Sequence, residues 1–314
     1  MSAGLSADLS ADLPAGPIGV AYSGGADSTA LLHAAAQLWP GRLVALHVHH
    51  GLQAAADGFA AHAAHTAQSL NVPLRLARVD ARAEPGQSPE DAARRSRYQA
   101  LARLASKSPA ASVVLLGQHV DDQAETLLLA LSRGAGLPGL AAMPERFERH
   151  GVVFGRPLLP VPGSTLRDEL QAAGHTWVED PTNTDPQYTR NRIRHRLMPA
   201  LRDTFAGAVP ALARTARHAA QAQRLLDELA AIDAQQAGLP PAIAALQTLS
   251  PDRQANLLRH WLREHHGVAP SAAQMDALLL QVAACTTRGH RIELRVATGL
   301  VVRQGGALHY TPSV

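Results

Sequence analysis

The sequence predicts an α/β fold: a parallel sheet flanked by helices, followed by a helix-rich basic region and a small α+β C-terminal domain. Three observations carry that expectation. Apolar runs alternate with helix-patterned stretches at even spacing from Pro17 to Ser132. The alternation then stops at a glycine-interrupted stretch, "RGAGLPGLAAMPE". Finally, eight arginines face a single acid, Asp203, between Pro186 and Arg224, on sequence that favours helix.

The elements follow in order. "PIGVAYS" (17–23) reads as a buried strand, and a helix runs from Asp27 or Ser28 to Leu38. "RLVALHVHH" (42–50) is the next strand, with helix over Ala54–Leu70. "PLRLARVD" (73–80) and a helix over Pro89–Ala105 form the third pair, and "SVVLLGQHV" (112–120) with Asp122–Ser132 the fourth. Such alternation produces parallel strands with helices on both faces, and ligands then bind at the carboxyl ends of the strands. One pocket lined by residues 23–28, 47–52 and 117–126 is expected. Further on, "VVFGRPLLPVP" suggests a strand leading to a helix at Ser164–Ala173, and "WVEDPTNTDPQ" is loop because turn-forming dipeptides crowd it. Tyr188–Gln236 reads as mostly helical. Two helices (about 251–265 and 271–284) and the β-like "RIELRV" and "LVVRQ" close the chain. The expected organisation is a tail over 1–16, a catalytic domain over 17–205, a helical linker over 206–240 and a C-terminal domain over 241–314.

Composition narrows the function classes. A single cysteine, Cys285, excludes a disulfide framework and a multi-cysteine metal site within one chain. Together with an N-terminus lacking a basic-then-apolar pattern, it points to a cytoplasmic protein with no signal peptide. No stretch approaches the roughly 20 apolar residues of a membrane span, so no membrane partner is expected. Net charge is only +3, yet the basic residues are almost all arginine, with one lysine, Lys107. Their crowding after Pro186 fits a phosphate-rich partner, and a solvated helix face is the plainer alternative.

The chemistry concentrates in "SGGADS". Between a strand and a helix start, the amides from Gly24 to Ser28 can point into one concavity, with the helix dipole and the Ser23 and Ser28 hydroxyls adding to its pull on anions. Glycine permits the tight backbone this requires. Asp27 would repel phosphate unless a cation lies between them, which implies Mg²⁺. No lysine stands nearby, which excludes the Gly-Lys-Ser/Thr phosphate loop.

Residues 23–28 resemble the pyrophosphate loop of the N-type ATP pyrophosphatases, the PP-loop fold similar to the adenine nucleotide alpha hydrolases. Further stretches resemble one branch, the tRNA(Ile)-lysidine synthetase family: "HVHHGL" (47–52), "ARRSRY" (93–98), "GQHVDDQAET" (117–126), "RPLL" (156–159) and "WVEDPTNTDPQYTRNRIRHRLMP" (177–199). The C-terminal "RQANLLRHWLRE" resembles the appended domain that helps grip tRNA, and a further C-terminal domain of longer relatives is expected to be absent. Two positions depart from the family pattern: Gln118 replaces a histidine, and Arg95 stands where an acid is frequent.

The resemblance implies ATP-dependent joining of free L-lysine to C2 of cytidine 34 in the CAU anticodon of tRNA(Ile), through an O2-adenylated base, with pyrophosphate and AMP released. It assigns ATP contacts to Ser23, Gly24, Gly25, Ala26, Asp27, Ser28, His47, His49, Gly117, Arg94 and Asn191. Asp27 and Asp122 would hold Mg²⁺, and Asp27, Asp122 and Arg194 would carry the chemistry. Asp122 is the leading candidate to accept the amine proton, ahead of Glu125 and Glu179. Arg97, Arg190, Arg192, Arg196, Arg202 and Arg217 would contact tRNA. The residues alone leave alternatives beside these. Asp27 can be an N-cap, and the carboxylates at 121, 122 and 125 can serve a helix dipole. His47, His49 and His50 fit core packing better than metal ligation, and Arg94, Arg97 and Tyr98 can form a surface salt-bridge face. Rival readings are a tRNA thiolation enzyme, which needs reactive cysteines, a small-molecule adenylating synthetase, and an inactive RNA-binding protein. A homodimer is left open.

Overall fold

The computed structural model describes residues 13–49, 56–79, 89–287 and 289–312. Two compact units divide the chain, Met1–Ala220 and Gln221–Val314.

In the first unit six strands form one sheet in the order β3-β2-β1-β4-β6-β5. β1 (Ile18–Ala21) pairs in parallel with β2 (Leu43–His49) and β4 (Val113–Leu115); β2 pairs with β3 (Leu74–Arg78), and β4 with β6 (Val152–Gly155). β1, β2, β4 and β6 are short and mostly buried, as parallel strands covered by helices must be, whereas β3, at the sheet edge, carries two arginines and has no buried residue. β5 (Arg146–Arg149) was not expected from the sequence. It is an antiparallel edge strand that turns into β6 through His150 and Gly151, both at positive φ (52° and 70°), the backbone of a tight two-residue hairpin.

Helices α1 (Ala26–Leu38), α2 (Ala56–Ser69) and α5 (Gly163–Ala172) accompany the core on one side of the sheet, where Ile18, Val20, Leu31, Leu32, Leu115 and Leu170 are sealed from solvent. On the other side α3 (Pro89–Ala105) packs Tyr98, Leu101 and Ala105 against Val44, Val114 and Phe154. α4 (Val120–Ser132) follows β4 and shares a smaller core with Ile193, Met198 and Val209. β1 and β4 each lead through a short turn into a helix, so the starts of α1 and α4 come together at the carboxyl edge of β1 and β4. That edge is where the sequence placed the pocket.

After a loop over residues 177–187, the basic segment forms a short helix (Thr189–Arg192), a five-residue π turn (Ile193–Leu197) and a second short helix (Met198–Thr204). A 30-residue helix, α6 (Ala208–Ala237), comes next. In the second unit α7 (Pro251–His266) and α8 (Ala272–Ala284) pack Trp261, Leu262, Met275 and Leu278 onto an antiparallel sheet of β7 (Glu293–Val296), β8 (Gly299–Gln304) and β9 (Ala307–Pro312). α7 ends on Gly267 in the left-handed region, as helix C-termini favour. Cys285 is buried in this core.

Candidate active site

The glycine-rich loop folds as a phosphate cradle should. Ser28 Oγ, in the first turn of α1, lies 3.0 Å from Ser23 Oγ, donates to the Gly25 carbonyl at 3.0 Å and lies 3.2 Å from the Ser23 amide. Thr29 Oγ1 also donates to the Gly25 carbonyl (2.9 Å). Gly25 caps the helix without a side-chain bond, which leaves the start of α1 open to an anion. Two glycines are required by space. Gly24 sits at φ +91° with Val178 Cγ2 2.9 Å from where a Cβ would stand, and a Cβ on Gly117 would lie 3.0 Å from the Asp27 carbonyl oxygen. Ala26 is buried in the first turn.

Across this loop stands His119, which the sequence reading passed over. Its side chain is 6% exposed, with Nε2 3.5 Å from Asp27 Oδ2 and 3.6 Å from Asp122 Oδ2, and Nδ1 3.2 Å from Asp121 Oδ2. The contact with Asp121 is a close ion pair. Burial alone would lower the imidazole pKa. The bonding pull of Asp121 and Asp27, with the charges of Asp122 and Asp27, overcomes it and raises the value to about 10. His119 is therefore an imidazolium near neutrality. Its signal in the sequence was its place between the end of a strand and two aspartates at a helix start.

The carboxylates are in turn held by arginines. Asp122 accepts from the His119 amide (3.1 Å) through Oδ2 and from Arg194 (3.1 Å) through Oδ1. Glu125, 2% exposed, accepts from Arg194 at 2.7 and 2.9 Å and from Arg190 at 3.1 Å. Asp121 accepts from the Gly163 amide (2.8 Å) and Arg202 (2.6 Å). Burial opposes ionisation of Asp121, but His119, the Gly163 amide and Arg202 hold its carboxyl well below the usual range. Four carboxylates thus meet four cations.

One atom stands apart. Asp27 Oδ1 is buried without a hydrogen-bond partner. A hard cation fits that oxygen, since Mg²⁺ takes one or two carboxylates and completes its octahedron with water and phosphate. Asp122 has both oxygens engaged, so Asp27 is the better fitted of the two expected metal ligands.

Several expected residues sit otherwise than the sequence suggested. Arg190 turns inward to Glu125, Thr126 Oγ1 (2.8 Å) and the Asp122 carbonyl, because it shares the inner helix face with Arg194; it does not join a tRNA-facing row. Arg192, Arg196, Arg202 and Arg217 are exposed, with Arg192 donating to Thr189 Oγ1 and Arg202 committed to Asp121. Asn191 donates to the Thr182 and Asp185 carbonyls (2.7 and 2.9 Å), fastening the preceding loop rather than reaching the phosphate loop. His47 is buried, its Nδ1 2.9 Å from the Tyr22 carbonyl oxygen, and burial lowers its pKa. It packs as a neutral core histidine. His49 is buried as well, and His50 lies outside the described residues. Glu125, 2% exposed, has both oxygens on guanidiniums, against one guanidinium on Asp122, which makes it the anchor of the two arginines; Glu179 is exposed and accepts from Trp177 Nε1 (2.7 Å).

Arg94 and Arg97 are exposed on α3, and the Arg94 guanidinium lies 5.6 Å from the Tyr98 ring. Tyr98 OH accepts from Arg156 (3.2 Å), which is 2% exposed and also donates to Gln118 Oε1 (3.0 Å) and the Pro144 carbonyl (2.6 Å). The glutamine that departs from the family pattern is therefore an acceptor for a buried guanidinium, a task its amide oxygen performs.

The geometry sets beside it what is known of similar chains. The PP-loop domain pattern matches residues 5–201, and the TilS substrate binding domain pattern matches residues 242–309. A tRNA(Ile)-lysidine synthase of Polaromonas naphthalenivorans is 60% identical over 295 residues, which cover 94% of this chain and 89% of that one. One from Burkholderia pseudomallei is 47% identical over 275 residues, covering 85% of this chain and 56% of the relative. The chain thus spans most of the first relative and little more than half of the second. Among solved structures, the U34-tRNA thiolase NcsA from Methanococcus maripaludis, with its 4Fe–4S cluster, superposes with a TM-score of 0.57 at 16% identity. That match covers 68% of this chain and 74% of the thiolase, a likeness of fold.

Proposed function

Because the chain belongs to the tRNA(Ile)-lysidine synthase family, we propose that it joins L-lysine to C2 of cytidine 34 in a CAU-anticodon tRNA(Ile), consuming ATP in the cytosol. In the first step the C2 carbonyl oxygen of the base attacks the α-phosphorus of ATP, and pyrophosphate leaves. In the second the lysine ε-amine attacks C2, AMP leaves and the amine sheds a proton.

This chain's own groups suit those demands. The amides from Gly24 to Ser28 at the start of α1 receive the pyrophosphate end of ATP, that of Gly25 exchanging its present acceptor, Ser23 Oγ (3.3 Å). The His119 imidazolium and Arg194 supply positive charge beside the loop, already oriented by Asp27, Asp121, Asp122 and Glu125. Asp27 would hold Mg²⁺, which when bound neutralises charge on the departing pyrophosphate. Asp122 is the group we assign to accept the amine proton, one oxygen exchanging its present donor for the incoming amine. No enzyme nucleophile is required.

The observation that carries this reading is the convergence of His119, Asp122 and Arg194 on the aspartate of the phosphate loop. A thiolation activity is disfavoured because the lone cysteine is buried in the core of the second unit. Incubation with labelled lysine, ATP and the CAU-anticodon tRNA tests the proposal. Lysidine, pyrophosphate and AMP should appear in equal amounts, and ADP with orthophosphate would overturn it.

A further inference from the structure

A second basic surface lies on the flank of the first unit. The C-terminal half of α3 and the β5–β6 turn enclose a groove of about 430 Å³ lined by Gln99, Ala102, Arg103, Ser106, Lys107 and His150. No carboxylate lines it. One residue before His150, Arg149 places its guanidinium 4.9 Å from the Tyr98 ring, and Arg94 reaches the same ring from one turn earlier in α3. Among the described residues, neither guanidinium nor the side chains of Arg103 and Lys107 has an ion-pair partner. Lys107 is the one lysine of the chain.

A helix C-terminus attracts cations through its dipole, and this accounts for Arg103 and Lys107. It does not account for Arg149 and His150, which come from a separate hairpin. The hairpin is held there by Phe147 and Phe154 packing edge-on to Tyr98, and the two positive-φ residues fix its turn. Alternation along β5 puts Phe147 and Arg149 on the face toward α3 and turns Glu148 away. Arg103 and Lys107 in the groove and Arg149 beside it, over Tyr98, thus gather positive charge from two elements on one flank, and no carboxylate lines the groove. An extended polyanion offsets such a gathering.

We infer that the α3–hairpin groove, lined by Arg103, Lys107 and His150 and flanked by Arg149, binds the phosphodiester backbone of the RNA substrate outside the catalytic cluster; this rests on the tRNA reading above. The groove holds phosphates through charge and leaves the bases unread. It adds affinity and salt sensitivity without touching the reacting atoms.

The test is equilibrium binding of the CAU-anticodon tRNA transcript over a salt series. Arg103→Glu/Lys107→Glu should weaken binding at least about tenfold and flatten the log K against log salt slope by about 1.4–1.8, the loss of two phosphate contacts. Arg149→Gln should flatten it by about 0.7–0.9, whereas Arg149→Lys should keep the slope. Pyrophosphate release at saturating tRNA should equal wild type in all three, which shows that folding and the catalytic cluster are intact. Wild-type affinity and slope in the charge-reversed and Gln variants would overturn the inference. A flattened slope stands in its favour even if the wild-type protein formed no lysidine, so the two readings fail separately.

Discussion

Asp27 and His119 face each other across the carboxyl ends of β1 and β4, Oδ2 to Nε2 at 3.5 Å, while the other Asp27 oxygen is buried and unpartnered. The histidine brings Asp121 and Asp122 to the same place, and the arginines of the 189–204 segment close the ring of charge. Replacing His119 by Gln keeps much of the volume and removes the cation that Asp27, Asp121 and Asp122 share, leaving Asp121 to Arg202 and Asp122 to Arg194. The kcat for pyrophosphate release should fall by roughly 10²-fold or more. The same cation should be visible in stability. Its folded-state pKa of about 10 lies above the ordinary 6.5, so its contribution is complete below pH 6.5 and is lost as pH rises through about 10. Urea midpoints of the wild type should decline over that interval, with His119→Gln declining less.

Asp122→Asn retains a hydrogen-bonding side chain of the same size but cannot take a proton from the amine. Lysidine formation should be abolished while ATP still binds, as judged by nucleotide affinity and turnover on one preparation. Near-normal turnover would remove Asp122 from the chemistry.

Glu125→Gln leaves Arg190 and Arg194 facing a neutral amide in a nearly closed site. Both guanidiniums keep partial solvent contact, which softens the loss to about 2–3 kcal/mol, below that of a fully buried pair. Chemical denaturation measures it, and a change under about 0.5 kcal/mol would mean that the cluster adds nothing to stability.

Gly117→Ala tests the cradle without altering charge. The added methyl would stand 3.0 Å from the Asp27 carbonyl oxygen and 3.1 Å from its carbon, and main chain cannot swing aside as a side-chain tip can. A cost of about 1–3 kcal/mol and a raised KM for ATP should result.

His33, buried on α1, stacks on His175 with centroids 3.7 Å apart. Burial and the second imidazole lower its pKa to about 4. Folding therefore favours the neutral ring. The unfolded chain takes up the proton first, so stability falls as pH drops from 6.5 towards 4. His33→Leu should flatten that decline in a Tm series, and an unchanged slope would place the sensitivity elsewhere.

The sheet could be read from the sequence because β1, β2 and β4 are short apolar runs with helices between them; β3, with two arginines in five residues, was legible from the alternation of elements around it. The hairpin did not. Its first strand, Arg146–Arg149, is a charged edge strand with one apolar residue, and only the His150–Gly151 turn betrays it. The last strand, Ala307–Pro312, is similarly mixed. In the site, the loop glycines and Asp27 were legible because backbone requirements leave a residue signature. Which arginine faces inward was not, since Arg190 and Arg192 differ only in helical phase, which the chain's entry into the helix determines. His119 was overlooked because Asp27, the carboxylate that ties it to the phosphate loop, lies 92 residues away and reaches it only on folding.

The Gly24 carbonyl accepts from the Val178 amide at 3.0 Å, and Val178 fills the space that a Gly24 side chain would occupy. The nucleotide cradle is thereby stitched to the segment that leads, through Asn191 and its grip on Thr182 and Asp185, into the arginine-bearing helix. The turn and the arginine-bearing segment therefore share one support, and trimming Val178 to Ala would loosen the packing of the first against the chain that leads to the second.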